Sequence, residues 1–208
     1  MFGFAASRGL RRIGVVVPTG AFGDRVIMAA QTVAPGFGVT LSTPVVLDSG
    51  AGVVDFLRAA SGGSLPDAVY LPSVSGPFAA QAAALHGAGL QILGSDQWSA
   101  IEPYRNPDLI GAWFAAPDPV RFEAFAIALE DRIETEAGIV AGLAFDAVEM
   151  ARLLGRLAQQ DRDGLLREGG VDGVLGPYRF LADGQCERGL AVLNVAQGAT
   201  TLIGSSSA

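Results

Sequence analysis

One histidine, one cysteine and no lysine stand among the 208 residues, a set that narrows the available chemistry at once. Without lysine there is no Schiff-base nucleophile and no phosphate-loop lysine. His86 closes the run Ala-Ala-Ala-Leu-His-Gly at a predicted helix C-terminus, where an imidazole is favoured by the helix dipole without any catalytic duty. A serine nucleophile needs an exposed Gly-x-Ser-x-Gly elbow. Neither Ser73-Val74-Ser75-Gly76 nor Gly204-Ser205-Ser206 matches it. Cys186 follows the Asp183-Gly184 turn with no histidine near it in sequence, and a lone cysteine closes no internal disulfide. Glu130, Asp131, Glu134 and Glu136 gather near a helix end and read as a solvated face; a calcium loop would alternate its acids around a glycine. A zinc ligand set is missing as well. The expectation is a protein that is not an enzyme and uses neither metal nor cofactor.

Composition points the same way. A net charge of −7 with no arginine-rich face argues against nucleic acid as a partner. Half the residues are apolar and 17% are charged, so the chain can bury a sizeable core. No apolar run reaches the roughly 18 residues that cross a bilayer. The short run after Arg8, Arg11 and Arg12 ends at Pro18-Thr19-Gly20 and reads as a strand rather than a signal peptide. Two glycine-rich stretches bear on anion binding, and both signals are weak. Gly87-Ala88-Gly89 leaves a helix and enters a strand, the reverse of the dinucleotide fingerprint. Thr19-Gly20-Ala21-Phe22-Gly23 has the right strand-to-helix order and offers free backbone N–H groups. Asp24 is expected to cap those donors.

Recognition residues are more evident than catalytic ones. Residues 65–119 contain two short apolar runs, 68–71 and 90–93, around an alanine-rich helix. The first run ends in Ser73 to Gly76 and the second in Gly94-Ser95-Asp96-Gln97-Trp98. That is one βαβ unit, and ligands of open parallel sheets collect beyond the carboxyl ends of the strands. The candidate binding residues are therefore Phe22, Ser73, Ser75, Asp96 and Trp98. Trp98, an amphipathic aromatic beside an acid in a loop, suits either a recognition surface or the core. Trp113 and Phe114 lie on a further strand and read as packing.

These positions need a scaffold. Residues 13–17 form a β-branched strand, and Val26, Ile27, Ala30 and Val33 follow at helical spacing. A strand interrupted near Pro44 comes next. Asp48-Ser49-Gly50 is expected to cap a helix with Val53, Val54, Leu57 and Ala60 on one face. After the βαβ unit, residues 98–108 form a proline-punctuated loop and 110–115 a strand. Asp118-Pro119 opens a helix. Residues 138–160 carry the longest helical pattern, with Leu143, Val148, Ala151, Leu154 and Leu157 as its apolar positions. Residues 178–180 and 190–195 read as strands joined around Asp183-Gly184. The expected fold is α/β, a three-layer sandwich on a mostly parallel sheet with a C-terminal β-hairpin. Its expected organisation is an α/β lobe over 1–136, a helical crossover over 137–170, returning strands packing on the lobe over 171–197, and a flexible tail over 198–208.

The series of segments resembles the second lobe of the type I periplasmic binding proteins, the Leu/Ile/Val-binding family. RRIGVVVPTGAFGDRV is similar to the strand, turn and helix where that family's chain enters lobe two. Phe145-Asp146-Ala147-Val148 is similar to its Tyr-Asp-Ala-Val motif, and GVLGPYRFLADGQCERGLAVLNVAQG to its ending. The resemblance implies a periplasmic solute-binding protein of the ABC-transporter type, with an amino acid or similar small polar ligand. It places Phe22 where the family often has a tyrosine beside the ligand, Ser73 and Ser75 on the second loop, and Asp96 near the acid that pairs the ligand's ammonium. It also implies a missing first lobe, or a second subunit, to cover the long helix. The GSDQW and GAWFAAPDP segments resemble a second group of this fold, the penicillin-binding protein activators. That group implies an envelope protein that regulates peptidoglycan synthesis by contacting a peptidoglycan synthase.

Overall fold

The computed structural model describes residues 1–47, 52–74, 78–132 and 137–206. It contains two compact units, Met1–Ala115 with Val192–Gly204, and Ala116–Ala191 with Ser205–Ala208. In chain order the first carries α1 (Phe2–Ser7), β1 (Arg12–Val17), α2 (Ala21–Val33), β2 (Thr40–Leu41), β3 (Val45–Val46) and α3 (Val53–Ala60). There follow β4 (Ala68–Tyr70), α4 (Phe78–Gly87), β5 (Gln91–Gly94), three short 3-10 turns and β6 (Trp113–Ala116). The second carries α5 (Pro119–Glu130), α6 (Ile139–Leu157), α7 (Arg162–Leu165), β7 (Val171–Gly173), β8 (Gly176–Phe180) and β9 (Cys186–Arg188). Strands β10 (Ala191–Ala196) and β11 (Ala199–Ser205) return to the large sheet.

The fold is mixed α/β, and its central sheet runs β11-β10-β6-β5-β4-β1-β2, with β3 also on β1. The pairings of β1 with β2, β3 and β4, of β4 with β5 and of β5 with β6 are all parallel. In register, Ile13 faces Ala68, Tyr70 faces Leu93 and Gly94 faces Phe114. Both sheet faces are covered, which is why β1 reads as an unbroken Ile-Gly-Val-Val-Val run rather than an alternation. Ile13, Val15, Val17, Ala68 and Leu93 are fully buried beside Phe2, Ala5, Ala30 and Ala34. Gly14 supplies a needed gap, since a Cβ there would stand 2.6 Å from the buried Leu57 side chain of α3. Val53 and Leu57 of the expected α3 stripe are buried. The cap expected at Asp48-Ser49-Gly50 lies outside the described residues. Asp118 accepts from Val120 N (3.0 Å) and Arg121 N (3.4 Å) and so opens α5 as expected.

Several expectations need correction. Asp24 does not cap α2: the N-cap is Gly20, at φ 98°, with no side-chain cap, and Asp24 lies inside the first turn. The strand across the Asp183-Gly184 turn from β8 is β9, not β10, which joins the central sheet. Residues 198–208, expected to be a tail, hold β11 as far as Ser205. On α6 the buried residues are Gly142, Asp146, Met150 and Leu154, a ladder at four-residue spacing. Of the expected apolar positions only Leu154 is buried; Leu143, Val148 and Leu157 are about half exposed. The helix has two apolar sides, and the one that faces its own unit contains a carboxylate.

That carboxylate joins helix to hairpin. Asp146 Oδ1 accepts from Val174 N (2.7 Å) and Oδ2 from Arg188 Nη1 (2.8 Å), while the Tyr178 hydroxyl donates to the Asp146 carbonyl (2.9 Å). The Arg188 guanidinium lies 4.5 Å over the Tyr178 ring. Gly173 leaves room for the carboxylate, because a Cβ there would come within 2.5 Å of it.

Candidate functional site

Parallel pairing brings the carboxyl ends of β1, β4 and β5 to one edge of the sheet, so the segments after Val17, Tyr70 and Gly94 share that edge. Phe22 is the second residue of α2 and is half-buried. Ser73 is half-buried on the second segment. Asp96 is exposed at the start of a 3-10 turn. Ser75 lies outside the described residues.

Trp98 occupies the interior. Its side chain is 1% exposed and stacks on Phe114 with ring centroids 5.8 Å apart. Its indole N–H donates to the Leu71 carbonyl at 3.1 Å. Gly94 is its seat, since a Cβ there would lie 2.5 Å from the indole ring. With its donor engaged and its faces covered, Trp98 has no surface for a ligand. It holds the third segment against the second instead.

Two residues that the sequence reading passed over take part. Ser95 is buried; its hydroxyl donates to the Pro72 carbonyl (2.8 Å) and accepts from Gln97 N (3.1 Å). Together with Trp98 it ties the β5 segment to the β4 segment by two side-chain bonds to backbone. The signal was present as a serine one residue before Asp-Gln, a capping pattern. Tyr70 ends β4, with its ring edge-on to Phe2 at 5.4 Å. Burial first, and then the Asp96 carboxylate, push its hydroxyl up to about 12. Tyr70 therefore remains a neutral donor at physiological pH, within the electrostatic reach of Asp96.

A cavity of about 390 Å³ lies at the opposite end, where Asp67, Gln91 and Gly111 mark the amino ends of β4, β5 and β6. His86 belongs to that end. Two of the polar side chains around the cavity are used internally: Asp67 accepts from Arg11 N (3.0 Å) and Arg12 N (2.8 Å), and Gln91 donates to the Gly111 carbonyl (3.0 Å). Among the described residues no group of three or more His, Cys, Asp or Glu could hold a metal. No described helix is long and apolar enough to cross a membrane. Phe22, Ser73, Tyr70 and Asp96 comprise an apolar ring, hydroxyls and a carboxylate, with neither histidine nor cysteine among them. That set can recognise a cationic or hydrogen-bonding small molecule but pairs no nucleophile with a base.

No protein-family model and no curated protein matches this sequence. Solved structures do match its fold. A Rhodospirillum rubrum protein assigned to branched-chain amino acid ABC transport is similar, with a TM-score of 0.78 and 21% identity over 97% of this chain and 63% of that one. A leucine binding protein from Thermotoga maritima gives 0.66 and 18%, over 100% of this chain and 64% of that one. An R. palustris ABC-transporter solute binding protein in complex with benzoate gives 0.64 and 14%, over 100% and 62%. The fold is that of the type I periplasmic binding proteins, and this chain spans less than two thirds of the length of each of the three.

Proposed function

We propose that this chain is the second, ligand-recognition lobe of a periplasmic solute-binding protein of the ABC-transporter type. It takes a small polar ligand, an amino acid or close analogue, at the carboxyl end of its sheet. One observation carries this reading: the exposed Asp96 carboxylate shares the strand-end edge with Phe22 and Ser73, beside the neutral phenol of Tyr70. Asp96 pairs the ligand's ammonium through a charge-assisted bond. Ser73 and Ser75 serve its polar groups, and Phe22, which has no hydroxyl, covers its apolar part. Trp98 positions the Asp96 loop without touching the ligand. The lobe performs no catalysis. In this reading the exposed apolar side of α6, with Val140, Leu143 and Val148, meets the family's first lobe. The leucine and benzoate complements named for similar structures support a ligand of this size.

Thermal unfolding against amino acids and organic acids tests the proposal. A ligand at about a hundred times its dissociation constant adds roughly 2.7 kcal/mol to the folded state, which moves a midpoint by several degrees. The expected result is a shift with one amine-bearing class that disappears in Asp96→Ala. A shift unchanged in that variant removes Asp96 from the site. A flat panel overturns solute binding, and capture of a peptidoglycan synthase would then favour the activator reading.

A further inference from the structure

The large sheet ends in a strand that lacks the usual protections of a sheet edge. Strand β11 runs seven residues, Ala-Thr-Thr-Leu-Ile-Gly-Ser, and bonds β10 on one side only among the described residues. Sheet edges are normally kept from pairing by shortness, charge, proline or a bulge. The other sheet edges among the described residues follow that rule. Strands β2 and β3, at the far end of the large sheet, have two residues each. In the small sheet, β7 has three residues including Asp172, and β9 has three including Glu187 and Arg188. Strand β11 has neither charge nor proline, and no charged residue occurs from Gly198 to the end of the sequence. Leu202 projects from it 56% exposed, and Thr201 is exposed on the other face.

The strand is also held in place. A Cβ on Gly204 would stand 2.6 Å from the Phe4 ring, so α1 seats directly on the strand's last turnless stretch. An edge fixed in this way presents its backbone donors and acceptors in extended geometry.

We propose that β11 is a self-association edge, where a second copy of this chain adds its own β11 antiparallel about a two-fold axis and makes one continuous sheet. Self-pairing fits because an edge strand is complementary to itself in the antiparallel sense, and a two-fold contact uses the same patch on both copies. It also fits the charge. Two copies at −7 repel over most of their surface, but this edge brings no carboxylate against a carboxylate. With β11 the one long uncharged edge among the described residues, its pairing closes at a dimer, and the inference stands independently of any ligand.

Sedimentation velocity on the 208-residue chain over a concentration series tests the edge, alongside a Thr201→Lys/Leu202→Lys variant checked for folding by circular dichroism. The expected result is a species of twice the 21.3 kDa chain mass that reverts to monomer in the lysine variant. Amide exchange on the unaltered chain is a second readout, with β11 amides slowing as concentration rises and those of β9 unchanged. A monomer at every concentration overturns the proposal. So does a dimer that persists in the folded lysine variant, an open-ended polymer, or a dimer whose formation leaves β11 exchange unaltered.

Discussion

In the sheet unit, β1, β4 and β5 meet through Ile13, Val15, Val17, Ala68 and Leu93, all fully buried and all apolar. At the carboxyl edge its side-chain ties, Ser95 to Pro72 and Trp98 to Leu71, lie past the strand ends. The hairpin unit places a carboxylate, 3% exposed, at the centre of the contact between α6 and its strands. The first arrangement is non-directional and leaves the strand ends free to carry function. The second is directional, because Asp146 is stable only while Val174 N–H and the Arg188 guanidinium both reach it. At the sheet edge the Asp96 carboxylate is exposed, whereas the Asp146 carboxylate of the hairpin unit is committed to structure.

The largest expected effect follows from that commitment. Asp146→Ala strands a guanidinium that is only 17% exposed and leaves Val174 N–H without its acceptor. The expected loss is about 3–5 kcal/mol in urea unfolding. Asp146→Asn, which keeps an acceptor for Val174, should lose less. Replacing both partners, with Asp146→Leu and Arg188→Met, should recover much of the loss because no unpaired charge remains. If Asp146→Ala costs less than about 1 kcal/mol, the contrast between the two units fails.

The sheet unit has a pH limb of its own. Tyr70 titrates near 10.0 when unfolded and at about 12 when folded, so the folded state holds this proton more tightly. Its contribution is therefore complete below pH 10 and is lost as pH rises from 10 through 12. About 2–3 kcal/mol disappears across that window. Alkaline unfolding of Tyr70→Phe against the parent checks this, and identical limbs in the two proteins would refute it.

The contrast also explains what was legible in the sequence. A β-branched run located β1, short apolar runs bounded by turns located β4 and β5, and helical spacing located α3, because burial on a parallel sheet leaves a local signature. The alternation of strand and helix then indicated the carboxyl-end loops that hold Phe22, Ser73 and Asp96. What was missed depends on distant partners. Asp146 meets Arg188 across 42 residues, so nothing near α6 reveals that its inner face is the one with the acid. Trp98 looks like a loop aromatic until Gly94 and Phe114 enclose it. Thr200, Thr201 and Gly204 of β11 read as a polar tail until β10 provides a ladder. Helix α1, six residues without a side-chain cap, owes its place to packing by Phe2 and Ala5.

The smallest expected effect separates holding a loop from meeting a ligand. Ser95 is buried and bonds both Pro72 and Gln97, so Ser95→Ala removes a cap and a tie between two loops. Such a loss costs about 1 kcal/mol. Asp96 next to it is exposed, and Asp96→Ala should stay within about 0.5 kcal/mol of the parent. Ligand response should reverse the order, falling partially in Ser95→Ala and completely in Asp96→Ala. Chemical unfolding and ligand titration on the same two variants read both quantities. If stability and ligand response fall together in both variants, the loop is one structural element and Asp96 holds it in shape. If they separate, the sheet edge divides its labour between a serine that fixes the backbone and an acid left free to bind.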